Sequence, residues 1–501
     1  MAGSRRRREQ KQRAKQRLAE AALHSVDLDP TFERSNGSID DVVRTIFERL
    51  PPDLHAEIHR RLDFLRRLAF ASICGASSGH MLTPEAPCLI FPGETVEQAT
   101  ILSLADGAST TATVRASPPA MRGHVVIGSS GGWLVTADAK GALRMANPAT
   151  GAHADLPAIT TIPFLSSHGS DSWFCLHVEP FVQMRFGGPP PPEDKDWGPR
   201  PPRTSTLTAA QMRQKFYRKV VLSASPRPGS YAAMLITDRH IGSPAFATAA
   251  DPSWRMAPSR DGVEDAIHHG GRFYSITYSG VVEAWRRNRD TGEFTSTVVA
   301  PRLEYSDEHL RRKYLAAAPD GRLMAVLKHS RNVELQGYGY GRHKATRVFF
   351  RVRVLDQEQR RWEAADDIGD AALFVGVNAS VCVPAAEHGG GGIKPGCVYY
   401  TDDEVGEACM RHEQGRTNND GRLAYGETKE TELRETGMYS FKTGNVVSVH
   451  AAPQQNQQQN NHEDDENDEL YVYPVPAEVE EEPRQHYGSW PPAAWFTPSF
   501  L

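Results

Sequence analysis

Three short stretches carry side chains whose types and spacing could do chemistry. Gly128-Ser129-Ser130-Gly131-Gly132 fits G-x-S-x-G, the sharp turn that raises a nucleophilic serine where a strand passes into a helix. Here Trp133-Leu134-Val135-Thr136 follows at once and reads as another strand, so Ser130 is expected in a turn between strands rather than at a catalytic elbow. His268-His269 could ligate a metal, but adjacent strand positions point to opposite faces of a sheet, which denies the pair a shared ion. Asp402-Asp403-Glu404 offers hard oxygen ligands without the spacing and glycine of a calcium loop, and reads as a solvated turn. There is no phosphate-binding loop and no dinucleotide fingerprint. The reading is no catalytic residue, no cofactor and no metal: a chain that binds rather than reacts, with a hydrolase built on Ser130 as the enzymatic alternative.

The elements that must carry these residues are short strands joined by tight turns. Gly132-Trp133-Leu134-Val135 is followed by Asn147-Pro148-Ala149-Thr150-Gly151, where Pro restricts φ and Gly supplies φ > 0. The grammar returns at Asp265 to His269, Gly270-Gly271, Arg272 to Thr277, Ser279-Gly280, Val281 to Trp285 and Asp290-Thr291-Gly292. It returns again at Tyr314 to Ala318, Pro319-Asp320-Gly321, Arg322 to Leu327, Val348 to Asp356 and Trp362, and more weakly from Cys397 to Val449. Radial repetition protects the edges of such strands, so the expected fold is mainly β, a β-propeller of six or seven blades. A sandwich, or several small β domains, is the alternative.

Six cysteines (Cys74, Cys88, Cys175, Cys382, Cys397, Cys409) are scattered with no CxxC pair, which argues against a zinc module and a disulfide framework and for reduced thiols. No apolar run approaches the ~20 residues of a membrane span, and Met1 to Arg17 has no apolar signal core. The expected setting is intracellular, nucleus or cytoplasm, not secreted. The net charge of −5 hides a basic arm over residues 1–37, with Arg5 to Arg8, Lys11, Arg13, Lys15 and Arg17, which reads as a solvated tail or a nuclear-import signal. No aromatic residue interleaves with these arginines, which argues against nucleic acid as a partner. Disordered insertions are expected near 186–212 (the Gly187 to Pro202 run), 404–436 and 451–487, the last holding a Gln/Asn tract and the acidic run Glu463 to Glu469.

Between residues 38 and 80 the pattern turns helical. Leu50, Leu54, Ile58 and Leu62 recur at four-residue steps, Pro51 and Pro52 sit where a first turn tolerates missing donors, and Asp53 and Glu57 suit that end of the dipole. Leu65, Leu68, Phe70 and Ile73 continue an apolar face. A small α-helical module is expected here, followed by the propeller over 88–501.

At Phe47-Glu48-Arg49-Leu50-Pro51-Pro52-Asp53-Leu54 and on to Leu62 the chain resembles the opening of an F-box. Together with Gly132 to Val135, Asn147 to Gly151 with Leu156-Pro157, Gly369 to Gly376, Cys397 to Asp403 and Trp495 to Ser499, it resembles the plant family of F-box proteins with a KIB-type β-propeller, from about Leu50 to the C-terminus. The resemblance implies that Leu50, Pro51, Leu54, Ile58 and Leu62 dock a Skp-like adaptor of a cullin ubiquitin ligase. The propeller would then hold an unidentified protein target. The F-box pattern closes with Cys and Trp; Cys74 is followed instead by Gly75-Ala76-Ser77-Ser78, so two further readings stay open. In one the helix is a cap packed on the propeller, and in the other the propeller acts alone as a scaffold.

Overall fold

The computed structural model describes residues 51–62, 67, 70, 86–92, 98–104, 110–115, 125–148, 152–168, 173–177, 204–208, 212, 216–237, 241–259, 261–304, 310–336, 342–387, 392–401, 436–449 and 494–498. The chain divides into two compact units, Met1–Leu54 and His55–Leu501. The basic arm, Leu50, Cys74, Asp402 to Glu404 and the acidic run lie outside the described residues.

Strand formation follows the local chemistry anticipated above. β-Branched and aromatic residues fill the strands, and asparagine or aspartate side chains tie the turns. Asp138 accepts from the Lys140 and Ala142 amides (both 2.8 Å), Asn288 from Asp290 (2.8 Å) and Thr291 (3.2 Å), and Asp356 from Glu358 and Gln359 (both 2.9 Å). Gly321 (φ 86) lets the Pro319-Asp320-Gly321 turn close.

Among the described residues these strands make seven sheets. Six of them form a ring. Blade one holds Cys88–Pro92, Gln98–Ser103 and Thr110–Arg115; blade two runs from Val125–Ser130 to His153–Leu156; blade three from Lys219–Leu222 to Arg255–Met256. Blade four runs from Val263–His269 to Phe294–Ala300, blade five from Leu310–Ala317 to Arg361–Ala365, and blade six from Ala371–Val375 to Val446–Ser448. Each interface between neighbours has its own buried core. Ring closure falls to Ala494–Phe496, which joins the inner edge of blade one by pairing Phe496 with Cys88 and Trp495 with Leu89. Trp495 is buried against Phe374 (centroids 5.0 Å) and Tyr399 (5.9 Å) of blade six, so the last blade packs on the first.

The seventh sheet, Leu165–His168, Trp173–His177 and Thr204–Thr208, lies outside the ring. Blades two and three are already neighbours through their inner strands: a Cβ on Gly128 would run into the backbone of Val220. The extra sheet contributes Phe174, Leu176 and Leu207 to the core that those blades share. Among the described residues the ring therefore has six blades, and within the span 186–212, expected as an insertion, five described residues form a strand. Thr204–Thr208 is a strand, because Leu207 points inward between threonines with strong strand preference, and Met212 is buried beyond it.

Candidate functional site

The axis of the ring is filled, not open. Lys219, at the head of blade three's inner strand, forms an ion pair with Asp265 of blade four, and both side chains are wholly buried. The second Asp265 oxygen accepts from the Leu315 amide of blade five (2.9 Å) and the Ser380 hydroxyl of blade six (3.4 Å). One buried carboxylate thus ties four blades together. Beside it Lys313 pairs with Glu264 at 2.5 Å, and the Lys313 amide donates to the same carboxylate at 2.9 Å.

Blade six supplies the plug. Its strands Ala371–Val375 and Val381–Pro384 are joined across the axis, where the Ala379 amide donates to Ser129 O of blade two at 2.7 Å. Ala379 packs within the core of blades three and four, and Asn378 caps Phe374 O (3.2 Å) and Ala379 O (2.9 Å). Gly376, at φ 148 and hard against Thr401, permits the crossing. This crossing makes Ala371–Val375 and Cys397–Tyr400 a parallel pair, whereas the other strand pairings among the described residues are antiparallel.

An open concavity lies between blades three and four, at the edge that carries the turns between first and second and between third and fourth strands. It is a cleft of about 800 Å³ lined by His268, Arg272, Arg286, Arg287, Arg289 and Asn288, with Ser223 and Thr248 from the facing blade. Arg272 follows the Gly270-Gly271 turn, and Arg286 to Arg289 run off the end of Val282–Arg287 into the turn capped by Asn288. Phe246 of blade three stacks on Phe294 of blade four at 4.1 Å and meets Trp285 at 5.1 Å, sealing the base. The Trp285 indole N–H is engaged by Ser275 Oγ at 2.8 Å.

Asp251 clasps the rim. It accepts from the Thr248 amide (2.9 Å) and hydroxyl (2.5 Å), from Arg255 Nε (3.3 Å) and from Arg287 Nη2 (2.8 and 3.1 Å). Burial pushes its carboxyl up, but the Thr248 hydrogen bonds and the two arginines outweigh that and hold it below the ordinary value. His268 Nδ1 accepts from the Ala224 amide at 3.0 Å; burial, then the neighbouring His269, pushes its pKa down, so the ring is neutral with its proton on Nε2.

Ser130 ends a strand that turns at Gly131-Gly132 into another strand, and its hydroxyl donates to Leu222 O at 3.2 Å. His268 and His269 face apart, the first edge-on to Phe273 and the second toward Tyr274. Cys175, Cys382 and Cys397 are free thiols, and burial, then Asp320, pushes the Cys382 thiol up to about 12. Among the described residues no group of three or more His, Cys, Asp or Glu could hold a metal, and no helix is long and apolar enough to cross a membrane.

In the helical module, Pro52–Arg61 is a helix preceded by exposed Pro51. Leu54 is 48 % exposed and Ile58 and Leu62 are half-buried, while the buried face carries His55 and His59, each against Phe70 (6.1 and 6.3 Å). The aliphatic stripe alone does not show this histidine pair, whose i, i+4 spacing with a nearby aromatic is the available signal. Nor does any motif named above mark the arginine cleft, visible in sequence only as Arg286-Arg287-Asn288-Arg289 after a strand-forming Trp285.

The sheets and their closure define a six-bladed β-propeller with a plugged axis. A family model described as KIB1-4 beta-propeller matches residues 101–439, more than half of the sequence, and the chain belongs to that family. Among solved structures it is similar to the Myceliophteria thermophila Cps50 (Swd1) beta-propeller domain, at 10 % identity and a TM-score of 0.24, covering 55 % of this chain and 84 % of that one. It is also similar to the tricorn protease, at 9 % identity and a TM-score of 0.25, covering 73 % of this chain and 29 % of that one. At those values neither adds to the reading of the site, and the chain spans under a third of the tricorn protease. No curated protein matches.

Proposed function

We propose that this chain is a non-catalytic, intracellular substrate-recognition subunit: its helix docks a Skp-like adaptor of a cullin ubiquitin ligase and its propeller holds the protein target near the ubiquitin-charged partner. The observation that carries the adaptor half is the exposure of Leu54. The helix buries its His55/His59 side and leaves Leu54, flanked by half-buried Ile58 and Leu62, on a different side. An apolar residue left out of the helix's own packing, on the F-box-like segment, suits docking against an adaptor groove. The propeller half draws on membership in a propeller family and on a surface cleft with unpaired charge.

The burial of His55, His59 and Phe70 favours a second reading, in which the helix serves the fold and the propeller acts alone as a scaffold. Co-purification of the full chain with a Skp-like adaptor separates the two. Adaptor retained by the wild type and lost on Leu54→Asp, with an unchanged circular-dichroism spectrum, supports the ligase reading. Adaptor absent from the wild type, or retained at full level by the variant, overturns it.

A further inference from the structure

We propose that the cleft between blades three and four is a binding site for an anionic peptide segment, read through the side-chain phosphates or carboxylates of a protein target. The inference rests on the target-holding half of the proposed function and is independent of the adaptor helix.

The charge balance is the first argument. Four arginines line the cleft and, among the described residues, no Asp or Glu does. Arg287 is held by Asp251, whose two oxygens already accept from two groups of Thr248 and from Arg255, leaving Asp251 no capacity to neutralise the others. Among the described residues Arg272, Arg286 and Arg289 have no ion-pair partner, whereas on the corresponding turns of blade five Arg322 pairs with Asp320 and Arg361 with Glu363, both at 2.7 Å. Arg360 on the blade-five turn, which donates to Val298 O at 3.1 Å, also has no ion pair, so what sets the cleft apart is the gathering of three such arginines at one concavity.

Geometry is the second. Guanidinium forks match carboxylate and phosphate oxygens two at a time, and arginines from two turns of one blade border a concavity of about 800 Å³, within the range of ligand sites, Arg287 on the sheet face it shares with Phe273 and Trp285, Arg272 and Arg286 at the alternate positions of the same sheet edge, and Arg289 in the turn. Arg287 is fixed by its clasp, so part of the positive wall is positioned before any ligand arrives. Neutral His268 adds an N–H donor to the same wall. The facing blade brings Ser223 and Thr248, polar groups suited to a peptide backbone.

The same features select the class of partner. Phe273, Trp285 and Phe294 are buried, so the cleft offers no exposed aromatic ring on which bases could stack. The arginines are gathered at one concavity rather than strung along a stripe that could follow a phosphate backbone. A short acidic or phosphorylated peptide satisfies both constraints.

The test is a binding titration with the full chain at low ionic strength. The probes are a neutral serine-containing peptide, its phosphoserine form, a glutamate-for-serine form and a single-stranded oligonucleotide. The expected result is that the phosphoserine or glutamate peptide binds at least about tenfold more tightly than the neutral one and than the oligonucleotide. Arg286→Gln with Arg289→Gln should remove that preference, and the control pair Arg322→Gln with Arg361→Gln should retain it. Preference for phosphoserine alone assigns the site to phosphate; equal preference assigns it to carboxylates generally. The proposal is overturned if neither anionic peptide exceeds the neutral one, if the oligonucleotide binds more tightly than both, or if the cleft variant with an unchanged unfolding midpoint binds like wild type. Failure of adaptor co-purification leaves all of these outcomes unaffected, so the two readings fail separately.

Discussion

The axis of the propeller and the cleft between blades three and four are both rich in charge, and they use it in opposite ways. At the axis, Lys219 and Asp265 are wholly buried, paired with each other, and the carboxylate is further bonded by two more blades. In the cleft, arginines outnumber acids, and three of them lack an ion-pair partner among the described residues. A buried pair contributes order and position, since its net stabilisation is offset by desolvation; an exposed, unpaired set contributes attraction to whatever brings the opposite sign. Pairing and burial, rather than the number of charges, separate the part of this chain that holds the ring from the part that can hold a ligand.

Breaking the axial pair should give the largest effect. Asp265→Ala removes the counter-charge of Lys219 in a dry site and frees two donors, and it is expected to lower stability by about 3–5 kcal/mol in urea unfolding. Replacing both members, Lys219→Met with Asp265→Leu, should cost less than either single change, because no uncompensated charge remains. A double variant as damaged as the single ones would show that the carboxylate's bonds to blades five and six, rather than the ion pair, hold the axis.

The Asp251 clasp is intermediate, a partly buried pairing at the rim of the cleft. Its carboxyl is held below the ordinary value, so the stability it contributes is present above the unfolded-state value and is lost as pH falls through the lower folded-state one. Acid titration should therefore loosen the contact between blades three and four, and Asp251→Asn should remove that part of the acid dependence while costing about 2 kcal/mol near neutrality. An unchanged acid profile in the variant would mean that other carboxylates govern this range. The smallest stability effect is expected for the cleft double variant, Arg286→Gln with Arg289→Gln, within about 0.5 kcal/mol of wild type.

Much of the ring was legible because strand alternation and turn chemistry are local. The meander Val263–His269, Arg272–Thr277, Val282–Arg287 is announced by its own glycine turns, and blade five by Pro319-Asp320-Gly321. The number of blades was not legible, since Leu165–His168 and Trp173–His177 are written like any hairpin and differ only in where they pack. Nor was closure: Cys88 Sγ donates to Phe496 O across 408 residues, and no local pattern marks that pairing. The same holds for charge. Lys219, Asp265 and Arg286 look alike in sequence as polar residues on strands, and only the placement of other blades buries two of them and leaves the third in a cleft.

One salt titration read in two ways tests that division directly. Mobile ions screen exposed charges within about 8 Å at physiological ionic strength and reach buried pairs far less. Raising sodium chloride from ~50 to ~200 mM should weaken wild-type binding of the phosphoserine or glutamate peptide by about tenfold or more, while the thermal unfolding midpoint stays within about 2 °C. A midpoint that falls with salt while peptide affinity holds steady would contradict the account, because the charges supporting the fold would then be the screened ones and the cleft arginines would not be holding the peptide.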